Sequence, residues 1–355
     1  MDILVGMSGG VDSSTAALLL KEAGHNVIGA TMAIWGDKGM SVKINPSSHG
    51  ACLGPDEKED IESAKKVCEE LGIEFHVFDC ASKYDEIVLK NFRDEYLKGR
   101  TPNPCVWCNS LIKFDVLPYI AKENGLKFDK FATGHYARVE KVDDRYLLKR
   151  GINPHKDQSY FLYRLKQRQL ENILLPLGGY TKEEIRKIAS KAGLEVADKP
   201  DSQDFYEGDY NELLGVSPKH GNIVDMSGKV LGEHEGVWNY TIGQRKGLGI
   251  SSTEALYVVE LRGETNEVVV GFKDKTFQDR LVADDLNWIA FDKLEGEIKC
   301  QAKIRSTQTP TDVTVRPIGE DKIEVVFDDM QKSIAPGQSV VLYDGDVVLG
   351  GGIIE

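Results

Sequence analysis

The first half of the chain alternates short apolar runs with helical stretches. Ile3-Leu4-Val5 reads as a buried strand, followed by a serine and glycine turn and the helical run Thr15-Ala16-Ala17-Leu18-Leu19-Leu20. Val27 to Ala33 reads as a second strand, Glu59 to Leu71 as an amphipathic helix, Glu74 to Phe78 as a third strand, Tyr84 to Leu97 as a helix and Phe128 to Gly134 as a fourth strand. That alternation predicts an α/β fold with a doubly wound parallel sheet. Ligands of such sheets sit beyond the carboxyl ends of the strands, which places Ser8, Met32, Gly134 and His135 around one crevice. Residues 36–55 read as a long loop over it. The pattern around Asp143-Asp144, from Glu140 to Arg150, predicts a hairpin. Thr181 with Glu184 forms a capping box that opens a helix ended by Gly193. The α/β domain is expected to span 1–199.

Beyond Pro200 the texture changes to short strands and glycine turns. Leu256 to Leu261 and Glu267 to Gly271 flank a turn, within a small central domain over 200–277. Ile298 to Ile304, Thr311 to Val315, Lys322 to Phe327, Ser339 to Tyr343 and Val347 to Ile353 are spaced like the strands of a C-terminal β-barrel over 278–355. A chain of 355 residues is long enough for about two or three such domains.

Composition sets the class. With 41% hydrophobic and 28% charged residues the chain reads as soluble and globular. No apolar run approaches the roughly 20 residues that span a bilayer, and Met1-Asp2-Ile3 lacks a basic lead into an apolar core, so a cytoplasmic protein with no membrane partner is expected. Six cysteines in that setting read as reduced thiols. A net charge of -13 argues against an indiscriminate nucleic-acid binder. Between Lys141 and Arg168, however, eight Lys or Arg face three Asp, a local excess of five positive charges that calls for an acidic partner or a solvated surface.

The chemistry concentrates in two motifs. Ser8-Gly9-Gly10-Val11-Asp12-Ser13-Ser14 joins a strand to a helix, so free backbone N–H groups and the helix dipole converge on one point. That is a phosphate cradle without the Gly-Lys-Ser/Thr ending of a Walker loop. It resembles the SGGxDS loop of ATP pyrophosphatases, in which the aspartate, here Asp12, helps to hold magnesium pyrophosphate while AMP passes to a substrate oxygen. The second motif, Asn103-Pro104-Cys105-Val106-Trp107-Cys108-Asn109, sets two thiols at i and i+3, where they can face one site. Alone, that spacing is ambiguous among zinc, redox and iron-sulfur roles.

Together the two motifs resemble the tRNA-specific 2-thiouridylase family. Thr133-Gly134-His135-Tyr136-Ala137-Arg138, Lys156-Asp157-Gln158-Ser159-Tyr160-Phe161-Leu162, Pro200-Asp201-Ser202-Gln203-Asp204, Tyr240 to Leu248 and Pro336-Gly337-Gln338 extend the likeness along almost the whole chain. The resemblance implies that Gly6, Met7, Ser8, Gly9, Gly10, Val11, Asp12 and Ser13 hold ATP phosphates and that Met32 and Gly134 line the adenosine pocket. It also implies that Lys156, Asp157 and Gln158 meet the tRNA, that His135 and Gln338 add contacts near the anticodon, and that Cys108 is the nucleophile. ATP and magnesium are then required, with a sulfur donor such as a relay protein, a cysteine desulfurase or sulfide. The chemistry is coherent: the C2 oxygen of uracil leaves poorly until adenylated, after which sulfur adds at C2 and expels AMP.

The chain departs from the family at one position. Members commonly carry a persulfide cysteine in a D-S-Q-x-x-C stretch, and here Tyr206 stands in its place. Two remedies are open: Cys105 as the resolving thiol for Cys108, or an iron-sulfur cluster on Cys105, Cys108 and Cys52. Cys68, Cys80 and Cys300 read as structural, Cys68 on a buried helix face and the other two near strand ends. The alternatives to thiolation are adenylation of a small metabolite and tRNA binding without sulfur transfer.

Overall fold

The computed structural model describes residues 1–35, 53, 57–199, 205–206 and 210–355. Strand β1 (Asp2–Gly6) buries Ile3, Leu4 and Val5 completely, as a strand covered on both faces must. Helix α1 (Val11–Glu22) follows directly, then β2 (Asn26–Ala33). Helix α2 (Glu57–Leu71) shows the helical period: Ala64, Val67, Cys68 and Leu71 are buried, and acidic Glu57, Glu59 and Asp60 occupy the first turn, where the dipole favours them. With β3 (Glu74–Asp79), β4 (Lys130–Thr133) and the short β7 (Ile173–Leu174), a five-stranded sheet forms in the order β3-β2-β1-β4-β7. Every pairing in it is parallel. The chain winds outward from β1 to β3 and then returns to the other side of β1, so the switch point lies between the carboxyl ends of β1 and β4.

A single helical run over 104–123 carries both candidate cysteines. It is α-helical over Pro104–Trp107, π-helical over Cys108–Val116 and α-helical again over Leu117–Glu123. Pro118 has no N–H for the carbonyl four residues back, that of Phe114, and Gln169 Nε2 donates to Phe114 O at 3.3 Å and to Ser110 O at 2.7 Å instead. Single π segments often mark functional sites, and this one begins at Cys108.

The hairpin of β5 (Ala137–Val142) and β6 (Arg145–Arg150) forms where expected, but its outer partner is the C-terminal barrel, through Val347↔Lys149. The central sheet adds β8 (Gly221–Asp225) and β9 (Val230–His234), which the sequence reading missed, to β10 (Tyr257–Arg262) and β11 (Glu267–Gly271). The barrel is closed by β12 (Phe277–Trp288), β13 (Ile298–Lys303), β14 (Thr311–Ile318), β15 (Lys322–Lys332), β16 (Ser339–Asp344) and β17 (Val347–Ile354), with β12 pairing to both β15 and β17. Strand β12 was not anticipated. Cys300 is the third residue of β13, opposite Val313. Among the described residues no helix is long and apolar enough to cross a membrane.

Candidate functional site

Ser8 to Ser13 form the turn between β1 and α1. The Ser8 amide donates to Ser13 Oγ (3.1 Å), and Ser13 and Ser14 donate to the Gly10 carbonyl (3.2 and 2.8 Å). Gly9 has φ +71°, and a Cβ there would meet the Asp60 carbonyl oxygen at 2.4 Å, so only glycine lets α2 approach this closely. From the α2 side, Ser63 Oγ donates to the Gly9 carbonyl (3.0 Å). Lys199 Nζ reaches the same carbonyl (3.3 Å) and Asp60 Oδ1 (2.8 Å). Gly134, just past β4, packs backbone to backbone on α1: a Cβ would stand 2.7 Å from the Ser13 amide nitrogen. Gly6 lies below the loop against Phe131, buried Met7 and Val11 anchor it in the core, and half-buried Met32 lies near the end of β2.

Asp12 is the charged centre of the loop. Lys182 Nζ donates to both of its carboxylate oxygens (2.7 and 2.8 Å), and Tyr136 Oη donates to Oδ1 (2.7 Å). Lys182 is the first residue of the Lys182–Lys191 helix, whose Thr181–Glu184 capping box forms as predicted. Neither Lys182 nor Tyr136 was singled out from the sequence. The capping box located the helix start, but nothing local pairs Lys182 with a residue 170 positions away.

Cys105 and Cys108 are both half-buried. Trp107 between them packs on the core and lies beneath Arg164, whose guanidinium carbon is 4.6 Å from the ring centroid. Cys80, immediately after β3, lies within electrostatic reach of Cys108. Burial foremost, then the charges of Asp79 and Cys108, pushes its thiol up to about 12. Burial also holds Cys68 and Cys300 at about 12. All three are therefore protonated thiols at neutral pH and poor nucleophiles. Among the described residues no group of three His, Cys, Asp or Glu is placed to hold a metal. Cys52, the third ligand a cluster would need, lies outside the described residues, as do Asp201, Ser202, Gln203 and Asp204.

Tyr206, where the sequence resemblance leads one to expect a persulfide cysteine, is buried at 4% exposure. Its ring lies 6.2 Å from that of Tyr210, in an aromatic cluster with Phe92, Tyr96 and Phe205. Tyr206 is part of the core.

His135 is buried with its ring against Phe114 (5.5 Å) and Nδ1 paired with Thr133 Oγ1 (2.7 Å). Burial, aided by nearby Lys113, holds its pKa well below the ordinary value and keeps the ring neutral. The Asp157 carboxylate is fully buried and accepts from the amides of Gly151 (3.2 Å) and Ser159 (3.1 Å) and from Arg150 Nε (3.2 Å). Gln158 Oε1 accepts from the Tyr136 amide (2.9 Å). Asp157 is buried, whereas Lys156 and Gln158 are both half-buried. Gln338 Nε2 donates to the Thr101 carbonyl (3.0 Å) and borders a cavity of about 440 Å³ at the meeting of all three domains, with Thr101, Gln244 and Arg305.

The basic stretch 141–168 finds much of its partner inside the chain. Arg145 pairs with Asp292, Lys149 with Asp346 (3.8 Å), Arg164 with Asp285 (2.9 Å) and Arg168 with Asp115 (2.8 Å). Three of those four aspartates belong to the barrel half of the chain.

Residues 1–206 match the family model described as tRNA methyl transferase HUP domain, 212–272 the tRNA methyl transferase PRC-barrel domain, and 278–354 the aminomethyltransferase beta-barrel domain. The tRNA-specific 2-thiouridylase MnmA of Endomicrobium trichonymphae is 47% identical over 360 residues, covering 100% of this chain and 99% of that protein. MnmA 1 of Caldanaerobacter subterraneus subsp. tengcongensis is 48% identical over 362 residues, covering 99% of this chain and 97% of that protein. A solved 4-thiouridine synthetase–RNA complex with bound ATP aligns at TM-score 0.35 and 17% identity over 57% of this chain and 44% of that one, a likeness too slight to bear on the chemistry. On full-length identity to its curated relatives, the chain belongs to the tRNA-specific 2-thiouridylase family.

Proposed function

We propose that this protein replaces the C2 oxygen of the wobble uridine of tRNA by sulfur, using ATP to activate that oxygen. The observation that carries the reading is the clasp on Asp12: a carboxylate at the mouth of a phosphate loop, held by an ammonium and a phenol that a bound nucleotide could take over. ATP phosphates would lie over Gly6 to Ser13, where the α1 N-terminus and free amides meet an anion. Asp12 would turn to magnesium, which neutralises the departing pyrophosphate, and Lys182 would turn to the phosphates. Met32 and Gly134 would border the adenosine.

The uracil C2 oxygen then attacks the α-phosphorus and pyrophosphate leaves. A persulfide on Cys108, formed when sulfide opens a Cys105–Cys108 disulfide and frees the Cys105 thiol, adds at C2 through its outer sulfur and AMP departs; Cys105 then attacks the Cys108 sulfur, releasing 2-thiouridine and reforming the disulfide. The neutral His135 fixes the floor of the crevice. Lys156 is the member of Lys156-Asp157-Gln158 that would meet the RNA, with Asp157 and Gln158 shaping its turn, and Gln338 would serve RNA and Thr101 together. The sulfur relay runs through Cys108 with Cys105 as the resolving thiol. Cys52, which an iron-sulfur cluster on Cys105 and Cys108 would add as third ligand, lies outside the described residues.

The test is single-turnover reaction of unmodified tRNA with ATP, magnesium and sulfide, with 2-thiouridine read by nucleoside mass spectrometry. Wild type should form product. Cys108→Ala should form none while still binding tRNA, and Asp12→Asn should release no pyrophosphate. Thiolation by Cys108→Ala would end the nucleophile assignment, and tRNA binding without pyrophosphate release by wild type would favour a binder that has lost sulfur transfer.

A further inference from the structure

The barrel grips the cysteine segment at two places. At its entry the Thr101 amide donates to the Pro336 carbonyl (2.7 Å) while Gln338 Nε2 donates to the Thr101 carbonyl, so both backbone groups of Thr101 are engaged by one barrel turn. Gly337, at the centre of that turn, has φ +90°, and a Cβ there would stand 2.9 Å from the Thr101 nitrogen.

The second grip is at Trp107, the residue before Cys108. Arg164 covers its ring and is itself bound by Asp285: Nη1 lies 2.9 Å from Oδ2 and donates to the Asp285 carbonyl at 3.1 Å, and Nη2 donates to Oδ1 at 3.1 Å. Asp285 is a non-glycine residue with φ +46°, in the bulge where the register of β12 against β17 shifts. Asn287, two residues on, donates from Nδ2 to the carbonyls of Tyr163 (2.6 Å) and Leu165 (3.2 Å), fixing the backbone on both sides of Arg164. A left-handed aspartate persists where its surroundings over-determine it, and such residues cluster at working parts of proteins.

We infer that the β12 bulge is a positioning device for the nucleophile: Asp285 orients Arg164, and Arg164 sets Trp107 and the helical turn that presents Cys108. The inference rests on Cys108 being the nucleophile. Trp107 is covalently next to Cys108, and the helix changes from α to π between them, so the angle at which Cys108 leaves the helix is set where the indole is held. A planar guanidinium locked by a carboxylate restrains the tilt of the ring, which an ammonium does not. Displacing a reacting atom by about 1 Å can cost about a hundredfold in rate. Arg164 is 14% exposed and engaged on both sides, which sets it apart from a surface cation waiting for phosphate.

The test follows pyrophosphate release and 2-thiouridine formation separately, in single turnovers with tRNA, ATP, magnesium and sulfide. Asp285→Asn keeps a residue that tolerates the left-handed backbone but removes the charge. Asp285→Asn and Arg164→Gln should slow thiolation by about tenfold to a hundredfold. Tryptic peptide mapping should show a changed rate of Cys108 alkylation by iodoacetamide, while pyrophosphate release and the Kd for tRNA stay at wild-type values. Arg164→Lys should recover only part of the loss. Wild-type thiolation by Asp285→Asn and Arg164→Gln, beside an inactive Cys108→Ala, would overturn the positioning role. Equal losses in both steps would also overturn it, by showing general damage to the fold. Thiolation by Cys108→Ala would instead remove the nucleophile reading and this inference with it.

Discussion

The phosphate loop and the cysteine segment, the two parts proposed to react, are built in opposite ways. The phosphate loop is a local object: one strand, one turn and one helix supply its shape, and its serines and Gly10 satisfy one another within seven residues. The cysteine segment is a distributed object, with its entry fixed by Pro336 to Gln338, its indole by Arg164 and Asp285, and its π turns by Gln169. The difference teaches that activation and sulfur transfer should fail separately. Damage near the loop stops the first step, and damage far away in the barrel stops the second.

The sharpest test of that separation is Lys182→Ala. Losing the cation that faces Asp12 should lower tRNA-dependent pyrophosphate release by about a hundredfold or more, a size typical of removing one electrostatic contact to developing charge. Thiolation should fall in parallel, because nothing is activated. Gly337→Ala strains a φ of +90° and pushes a methyl onto Thr101, so thiolation should slow by about tenfold while pyrophosphate release holds. An equal loss in both steps would show that the two regions are mechanically one.

Acid should act on the floor between them. His135 stays neutral when folded, whereas in the unfolded chain it takes a proton below about pH 6.5. The unfolded state then binds more protons, so stability falls as pH falls below that value, by up to about 1.4 kcal/mol per pH unit for this group. Urea titrations of His135→Asn should show a shallower loss between pH 6.5 and 5; an unchanged slope would place the acid sensitivity elsewhere. The smallest effect belongs to Cys80→Ser. With its thiol at about 12, Cys80 should be dispensable, and both steps should stay within about twofold of wild type. A large loss of thiolation alone would make Cys80, in place of Cys105, the resolving thiol.

The same contrast governs what could be read without coordinates. The loop, the strand and helix alternation and the Thr181 capping box are written in contiguous residues, so periodicity and cap chemistry reveal them. Most barrel strands alternate visibly, but β12 opens Phe277-Gln278-Asp279-Arg280 with only partial burial, and it was missed. The hairpin over 137–150 was legible, while its pairing to Val347 was not. The basic stretch 141–168 was legible as charge, yet three of its acidic counterparts lie a hundred or more residues away, at Asp285, Asp292 and Asp346. Lys182, Arg164 and Asp285 escaped for the same reason. Each is ordinary in its local sequence and acquires a role only through a partner brought to it by the fold.

The hairpin carries one more implication, for the life of the chain on the ribosome. Its outer edge, at Lys149, pairs with Val347, a residue made about two hundred positions later, which at about 5–20 residues per second arrives tens of seconds behind. Until then β6 presents an unpaired strand edge, a template for wrong partners. The nucleotide-binding half therefore emerges early but is completed last, and a truncated chain that stops short of β17 should be caught by chaperones or aggregate instead of surviving as a free ATP-binding fragment.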